Sequence, residues 1–140
     1  MADKQSPIFS KTYDFVRWAL GRTEKFPKNE RFRLAKRLDD ASLRFYELLL
    51  EATRPGRASS CLAQADLELD KIRLYARLCR ASALLDAGQY EFAVLTLTEI
   101  GKLLGGWMKS LPGRAAALGE TGKIFAPESG QARGFVEQQQ

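Results

Sequence analysis

The sequence predicts an all-α protein, an antiparallel up-down-up-down four-helix bundle. Three observations carry this expectation. Apolar residues recur at spacings of 3 and 4 along four long stretches, proline and glycine punctuate the chain near the ends of those stretches, and no segment alternates long enough for a strand. At 140 residues and 15.7 kDa there is room for one domain with a real core. The expected layout is a tail over residues 1–7, a bundle over 8–111 and a flexible tail over 112–140.

The first helix is expected from Ile8 or Phe9 to about Lys25, with Phe9, Tyr13, Val16 and Leu20 as its seam. Ser10 is a candidate cap, Gly21 lies near the end, and Pro27 stops or redirects the chain. The second helix should run from about Asn29, a good capping residue, to Thr53. Leu34, Leu38, Ala41, Phe45, Leu48 and Ala52 form its seam, and Arg54-Pro55-Gly56 terminates it. The third begins near Ser59 or Ser60 and continues to about Ala87, with Gly88 read as its C-terminal cap. Its seam is Leu62, Ala65, Leu69, Ile72, Ala76, Cys79 and Ala83.

The fourth helix, Phe92 to Leu111, is the stretch around which the others are organised. Val94, Leu97, Gly101, Leu104, Met108 and Leu111 make one seam; Leu95, Ile100, Leu103 and Trp107 make a second wall. Two apolar walls need more than one neighbour. Gly101, Gly105 and Gly106 allow two readings: fraying or a kink near Gly105, or close helix approach where side chains are missing. Apolar residues beyond one clean seam, namely Phe32, Leu43, Tyr46, Leu74, Leu78, Leu103 and Trp107, are candidates for the core or for an oligomer interface.

Composition excludes several classes of function. Histidine is absent, which removes the commonest acid–base residue and metal ligand. There is no phosphate-binding glycine loop, no dinucleotide fingerprint and no nucleophile–base set, so no catalytic residue, metal site or cofactor is expected. Asp66 and Asp70 share a face beside Glu68 and Lys71, which reads as a solvated surface. Cys61 and Cys79 read as reduced thiols, and with no signal-peptide core and no membrane span the expected location is cytoplasmic.

Charge gives the positive lead. The net charge is +5, and between Lys11 and Arg37 nine basic residues face three acidic ones. Arg73, Arg77 and Arg80 stand at i, i+4 and i+7, one stripe on the third helix. Arg33, Arg37 and Arg44 make a comparable stripe on the second. Guanidinium forks suit phosphate oxygens, although a solvated face has the same composition. Trp18, Tyr46, Tyr75 and Trp107 read as core or interface residues rather than as stacking platforms for nucleotides.

Two stretches, FVRWALGRTEKFPKNERFRLAKRLDDA and EIGKLLGGWMKS, resemble the accessory variability determinant (Avd) proteins of bacterial diversity-generating retroelements. The likeness spans roughly residues 9 to 112 and extends to the wider four-helix family encoded by intervening sequences in ribosomal RNA genes. It implies a non-enzymatic homo-oligomer, a pentameric ring or barrel. Its implied partners are the retroelement reverse transcriptase, the template-repeat RNA and complementary DNA. The basic surface would fall on Arg31, Arg33, Arg37, Arg73, Arg77 and Arg80. Two readings of another class stand beside it: a general RNA-binding four-helix protein, and a structural oligomer with protein partners only.

Overall fold

Pro7 opens the first helix because a residue at that position needs no backbone N–H and φ near −65° is already helical. In the computed structural model, which describes residues 6–112, four helices follow in order: α1 (Pro7–Thr23), α2 (Leu34–Ala52), α3 (Ala58–Ala81) and α4 (Ala87–Lys109). A short 3-10 turn at Lys28–Glu30 lies between α1 and α2, and no strand occurs among the described residues. The tail expected over 112–140 falls outside the described residues except at Pro112, and so do the first five residues.

Every helix packs against two others. Thr23, at the end of α1, donates its hydroxyl to both Asp39 carboxylate oxygens on α2, at 2.8 and 3.0 Å. Phe9 stacks edge-on to Tyr46 of α2, with centroids 6.2 Å apart. Phe9 also meets Trp107 near the end of α4 at 6.0 Å, and Trp18 meets Phe92 near the start of α4 at 5.0 Å. Lys11 pairs with Glu99 between those two ring pairs. On the far side, α2 runs along α3 and Gly101 of α4 sits against Leu69 and Arg73 of α3. The core between them is mainly apolar, with Phe15, Phe45, Leu48, Leu62, Leu69, Ile72, Ile100 and Leu104 almost wholly covered.

The seam of α2 is as expected except at its first residue, Leu34, which is only partly covered, and that of α3 is as expected up to Cys79, Ala83 lying exposed beyond the helix. Leu38, Ala41, Phe45, Leu48 and Ala52 are buried on α2, and Leu62 through Cys79 on α3. The other two helices are rotated from the expected face. On α1 the inward positions are Ile8, Thr12, Phe15, Ala19 and Thr23 with Phe9 and Val16; Tyr13 and Leu20 of the expected seam lie on the surface. On α4 they are Ala93, Leu97, Ile100, Leu104 and Trp107, spaced 4, 3, 4 and 3, while Val94 and Leu95 are exposed. Both helices carry apolar residues on more than one side, so periodicity alone did not select the face.

Three boundaries also move. Asn29 and Glu30 belong to the 3-10 turn, and α2 starts only at Leu34, after Arg33. Ser10 is not a cap; inside α1 it donates to the Pro7 carbonyl. Gly88 does not close α3. That helix ends at Ala81, where Leu84 N–H returns to the Cys79 carbonyl and Ala83 N–H to the Arg80 carbonyl. This is a Schellman ending with Ala83 at φ 61°, the position that glycine ordinarily fills. The next helix starts on a reciprocal capping box: Asp86 Oδ1 accepts from Gln89 N–H at 2.8 Å, and Gln89 Oε1 accepts from Asp86 N–H at 2.9 Å.

Gly105 does not break α4, which continues to Lys109. Among the described residues, a methyl group at Gly105 or Gly106 would meet nothing within 4 Å, whereas one at Gly101 would come within 2.5 Å of an Arg73 guanidinium nitrogen. Close approach therefore explains Gly101 and not the pair that follows it. Among the described residues no helix is long and apolar enough to cross a membrane.

Candidate nucleic-acid interface

The basic residues expected to share one surface are divided between the two flanks of α3. A helix shows one side to each neighbour, and residues three or four apart stay on one side. Glu68, Lys71 and Tyr75, at such spacings, face α2. Arg73, Arg77 and Arg80 run down the other flank, towards α4.

On the α4 flank two of the three arginines are held rather than loose. Arg73 Nη1 donates to Asp70 at 3.1 Å, while its other terminal nitrogen lies over Gly101. Arg80 donates to the Leu85 carbonyl at 3.3 Å, inside the turn that joins α3 to α4. Arg77, one turn before, is exposed and makes no ion pair among the described residues. A guanidinium already fixed by one or two bonds loses less freedom when it takes a phosphate.

On the α2 flank, α2 and α3 leave a cleft of about 480 Å³ lined by Phe32, Lys36, Arg37, Asp40, Ala41, Arg44, Glu68, Lys71 and Tyr75. Its four cations outnumber its two carboxylates. Lys36 pairs with Asp40 at 2.8 Å, Lys71 with Glu68 at 3.2 Å, and Arg44 with Glu51 at 2.9 Å. Arg37 is exposed and has no carboxylate partner among the described residues. Arg44 was expected in the α2 stripe; Lys36, Lys71 and Tyr75 were not among the expected site residues, because their convergence depends on the register of α2 against α3. Arg31 and Arg33 sit in the turn before α2, both exposed, with Arg33 3.4 Å from Glu30.

The apolar candidates separate equally clearly. Trp107 is buried, and Tyr46 is half-buried in the ring cluster with Phe9 and Tyr13. Leu103 is partly covered. Phe32, Leu43, Leu74 and Leu78 are exposed, and Leu67 joins Leu74 and Leu78 in one outward stripe along α3.

Two further groups have perturbed acidity. Burial raises the Asp39 carboxyl above its ordinary value; the Thr23 hydroxyl partly offsets this, and neighbouring Asp40 adds to it. Burial, with the negative charges of Glu30 and Asp39, pushes the Cys79 thiol up to about 11, so it stays protonated and unreactive at neutral pH. Cys61, also buried, lies 3.8 Å from Arg57 and 3.9 Å from Glu51. Among the described residues no cluster of three or more histidine, cysteine or acidic side chains is suited to a metal ion.

A family model described as bAvd-like matches residues 7–111, the whole of the four-helix body. No match was found among curated proteins or solved structures. The chain belongs to the bAvd-like family.

Proposed function

We propose that this member of the bAvd-like family is a non-catalytic accessory protein of a diversity-generating retroelement. It binds the element's reverse transcriptase and template-repeat RNA, and the complementary DNA made from it, to support mutagenic synthesis in the cytoplasm. The observation that carries this reading is the family match over residues 7–111, which takes in both basic flanks of α3. Arg73, Arg77 and Arg80, with Arg31, Arg33 and Arg37, are the residues assigned to RNA or polymerase. Arginine forks on phosphate need no base sequence, which leaves sequence choice to the polymerase and the RNA fold.

The body, residues 8–111, is read as an antiparallel up-down-up-down bundle flanked by tails at 1–7 and 112–140. It assembles as a pentameric ring. Exposed Leu43, Leu74 and Leu78 are the apolar surface available to subunit packing, since a single chain leaves them in water. Closed symmetry would repeat one such interface around the ring.

The test combines assembly, RNA and polymerase. Light scattering over a range of concentrations should give a constant multiple of 15.7 kDa, and a monomer throughout overturns the ring. Glutamine at Arg73, Arg77 and Arg80 together should weaken RNA binding by tenfold or more. It should also flatten the salt dependence, by about 0.7 to 0.9 in log–log slope for each phosphate that is no longer neutralised. Oligomer size and helicity should be preserved. Normal RNA affinity with loss of polymerase binding would give these arginines to a protein surface. Equal affinity for unrelated structured RNAs without polymerase binding would favour a general RNA-binding protein.

A further inference from the structure

We propose that the cleft between α2 and α3 receives an unpaired nucleotide, its base against Phe32 and Tyr75 and its phosphate on Arg37 and the neighbouring cations. The proposal rests on the nucleic-acid reading above and deepens it by separating two modes of binding. The α4 flank, with Arg73, Arg77 and Arg80, grips backbone of any kind; the α2 flank requires a strand whose bases are free.

Phe32 is the starting point. It is 79% exposed, the most exposed large apolar side chain among the described residues, yet it is not on a loose loop. The turn that carries it is tied by Arg33 N–H to the Glu30 carbonyl and by the Arg33–Glu30 ion pair, and Arg37 N–H returns to the Arg33 carbonyl. A largely exposed ring on a tied stretch of backbone, at the edge of a charged cleft, offers a face on which a base can stack. Across the cleft, Tyr75 offers a second ring on α3, one turn beyond Lys71. Base stacking on such rings tolerates any sequence, because every base has a flat face.

The charges limit what can enter. Lys36, Arg37, Arg44 and Lys71 against Asp40 and Glu68 leave a net charge of two positive units. Arg37 is the cation available first, since Lys36, Lys71 and Arg44 already have carboxylate partners. That balance fits one or two phosphates. The cleft, about 480 Å³, is open to solvent on one side, so it can take a base with its sugar while the strand continues outside it. A duplex keeps its bases stacked inside and would leave both rings unused. The two carboxylates also work against a polyacidic peptide, which has no flat ring to repay their repulsion.

The test uses the full chain and two probes: a labelled oligo-uridylate of about 12 nucleotides and a blunt RNA duplex of similar length. Phe32→Ala and Tyr75→Ala should each weaken oligo-uridylate binding by about fivefold to a hundredfold while leaving the salt slope and duplex binding unchanged. Tyr75→Phe should keep wild-type affinity. Arg37→Gln should lower the slope for the single strand by about 0.7. If both ring truncations leave single-strand affinity unmoved while the Arg73, Arg77 and Arg80 glutamine variant loses it, the cleft assignment falls and the nucleic-acid reading stands. Failure of the wild-type protein to bind either RNA overturns both. Equal competition by poly-glutamate, or a change in oligomer size on Phe32→Ala with RNA affinity intact, overturns the cleft as a nucleotide site.

Discussion

The grooves on the two sides of α3 carry basic residues in similar number, three towards α4 and four towards α2, but are built in different ways. Towards α4, the absent side chain of Gly101 leaves room for the Arg73 guanidinium beside Leu69, and Arg80 is held at the turn between the helices. Towards α2, the helices share a buried seam but part above it, leaving a cleft with rings and cations on its walls. Positive charge alone therefore does not define one interface. A packed seam fixes the direction of its cations, and an open one leaves space for a ligand part. The comparison also separates stability from binding, since the two seams should respond differently to truncation.

The largest expected effect is on the closed seam. Leu69 is 1% exposed, and its Cδ2 lies 3.5 Å from where a Gly101 methyl group would stand. Leu69→Ala should cost about 2 to 5 kcal/mol in chemical denaturation, through reduced burial and a cavity. Phe32→Ala, on the open cleft, should change stability by no more than about 0.5 kcal/mol. Similar destabilisation in the two variants would mean that Phe32 is part of a packed interface, and the contrast between the flanks would disappear.

Next comes the turn in which Arg80 meets the Leu85 carbonyl. Ala83 holds a left-handed conformation there at φ 61°, which costs a side-chain-bearing residue about 1 to 2 kcal/mol. Ala83→Gly should therefore stabilise the protein by about 1 kcal/mol, less glycine's extra freedom in the unfolded chain. A raised denaturation midpoint at unchanged slope is the readout. A lowered midpoint would show that the turn is not strained and that the α4 flank has no fixed end at Arg80.

The same position shows where sequence reasoning reached its limit. The seams of α2 and α3 were legible because the buried face of each keeps an unbroken spacing of 3 and 4, Leu38, Ala41, Phe45 and Leu48 on one and Leu62, Ala65, Leu69 and Ile72 on the other, even though Leu67, Leu74 and Leu78 line the outer side of α3. The faces of α1 and α4 were not, since Tyr13, Leu20, Val94 and Leu95 fit a helical period as well as the buried residues do. The end of α3 was hidden because alanine stands where glycine marks a C-terminus. Asp86 and Gln89 did signal a helix start, and Gly88 drew attention away from them. The arginine stripe on α3 was readable from spacing within one helix. Its separation from Arg37 was not, because it depends on which neighbour each flank faces, and the cleft required α2 and α3 in register.

A smaller effect distinguishes the glycines of α4. Gly105→Ala and Gly106→Ala meet nothing among the described residues, so each should stabilise an isolated body by about 0.5 to 1 kcal/mol. Gly101→Ala gains the same propensity but pushes the Arg73 guanidinium aside, so its net effect on stability should be near zero. RNA affinity should fall with Gly101→Ala and not with the other two. Adding Arg73→Ala should restore the full stabilisation, because the displaced group is gone. If Gly101→Ala stabilises as much as Gly105→Ala while Arg73 is present, Gly101 does not seat the arginine. If alanine at Gly105 or Gly106 weakens assembly, a neighbouring subunit approaches there.

The smallest effect separates two adjacent carboxylates on opposite sides of α2. Asp40 lies in the cleft and pairs with Lys36; Asp39 turns to α1 and accepts from Thr23. Burial raises the Asp39 pKa above its ordinary 3.8, more than the Thr23 bond lowers it. The folded chain therefore keeps this proton to higher pH than the unfolded chain does. Its contribution to stability is greatest below the unfolded value and declines as pH rises through the folded one. Asp39→Asn removes that decline while leaving a carbonyl to accept from Thr23. The stability of Asp39→Asn relative to wild type should thus increase from about pH 3 to about pH 6, and any constant change in the hydrogen bond cancels between the two pH values. The reverse slope would show that the Thr23 hydroxyl outweighs burial, making the α1 side of α2 the better-solvated site for a charge.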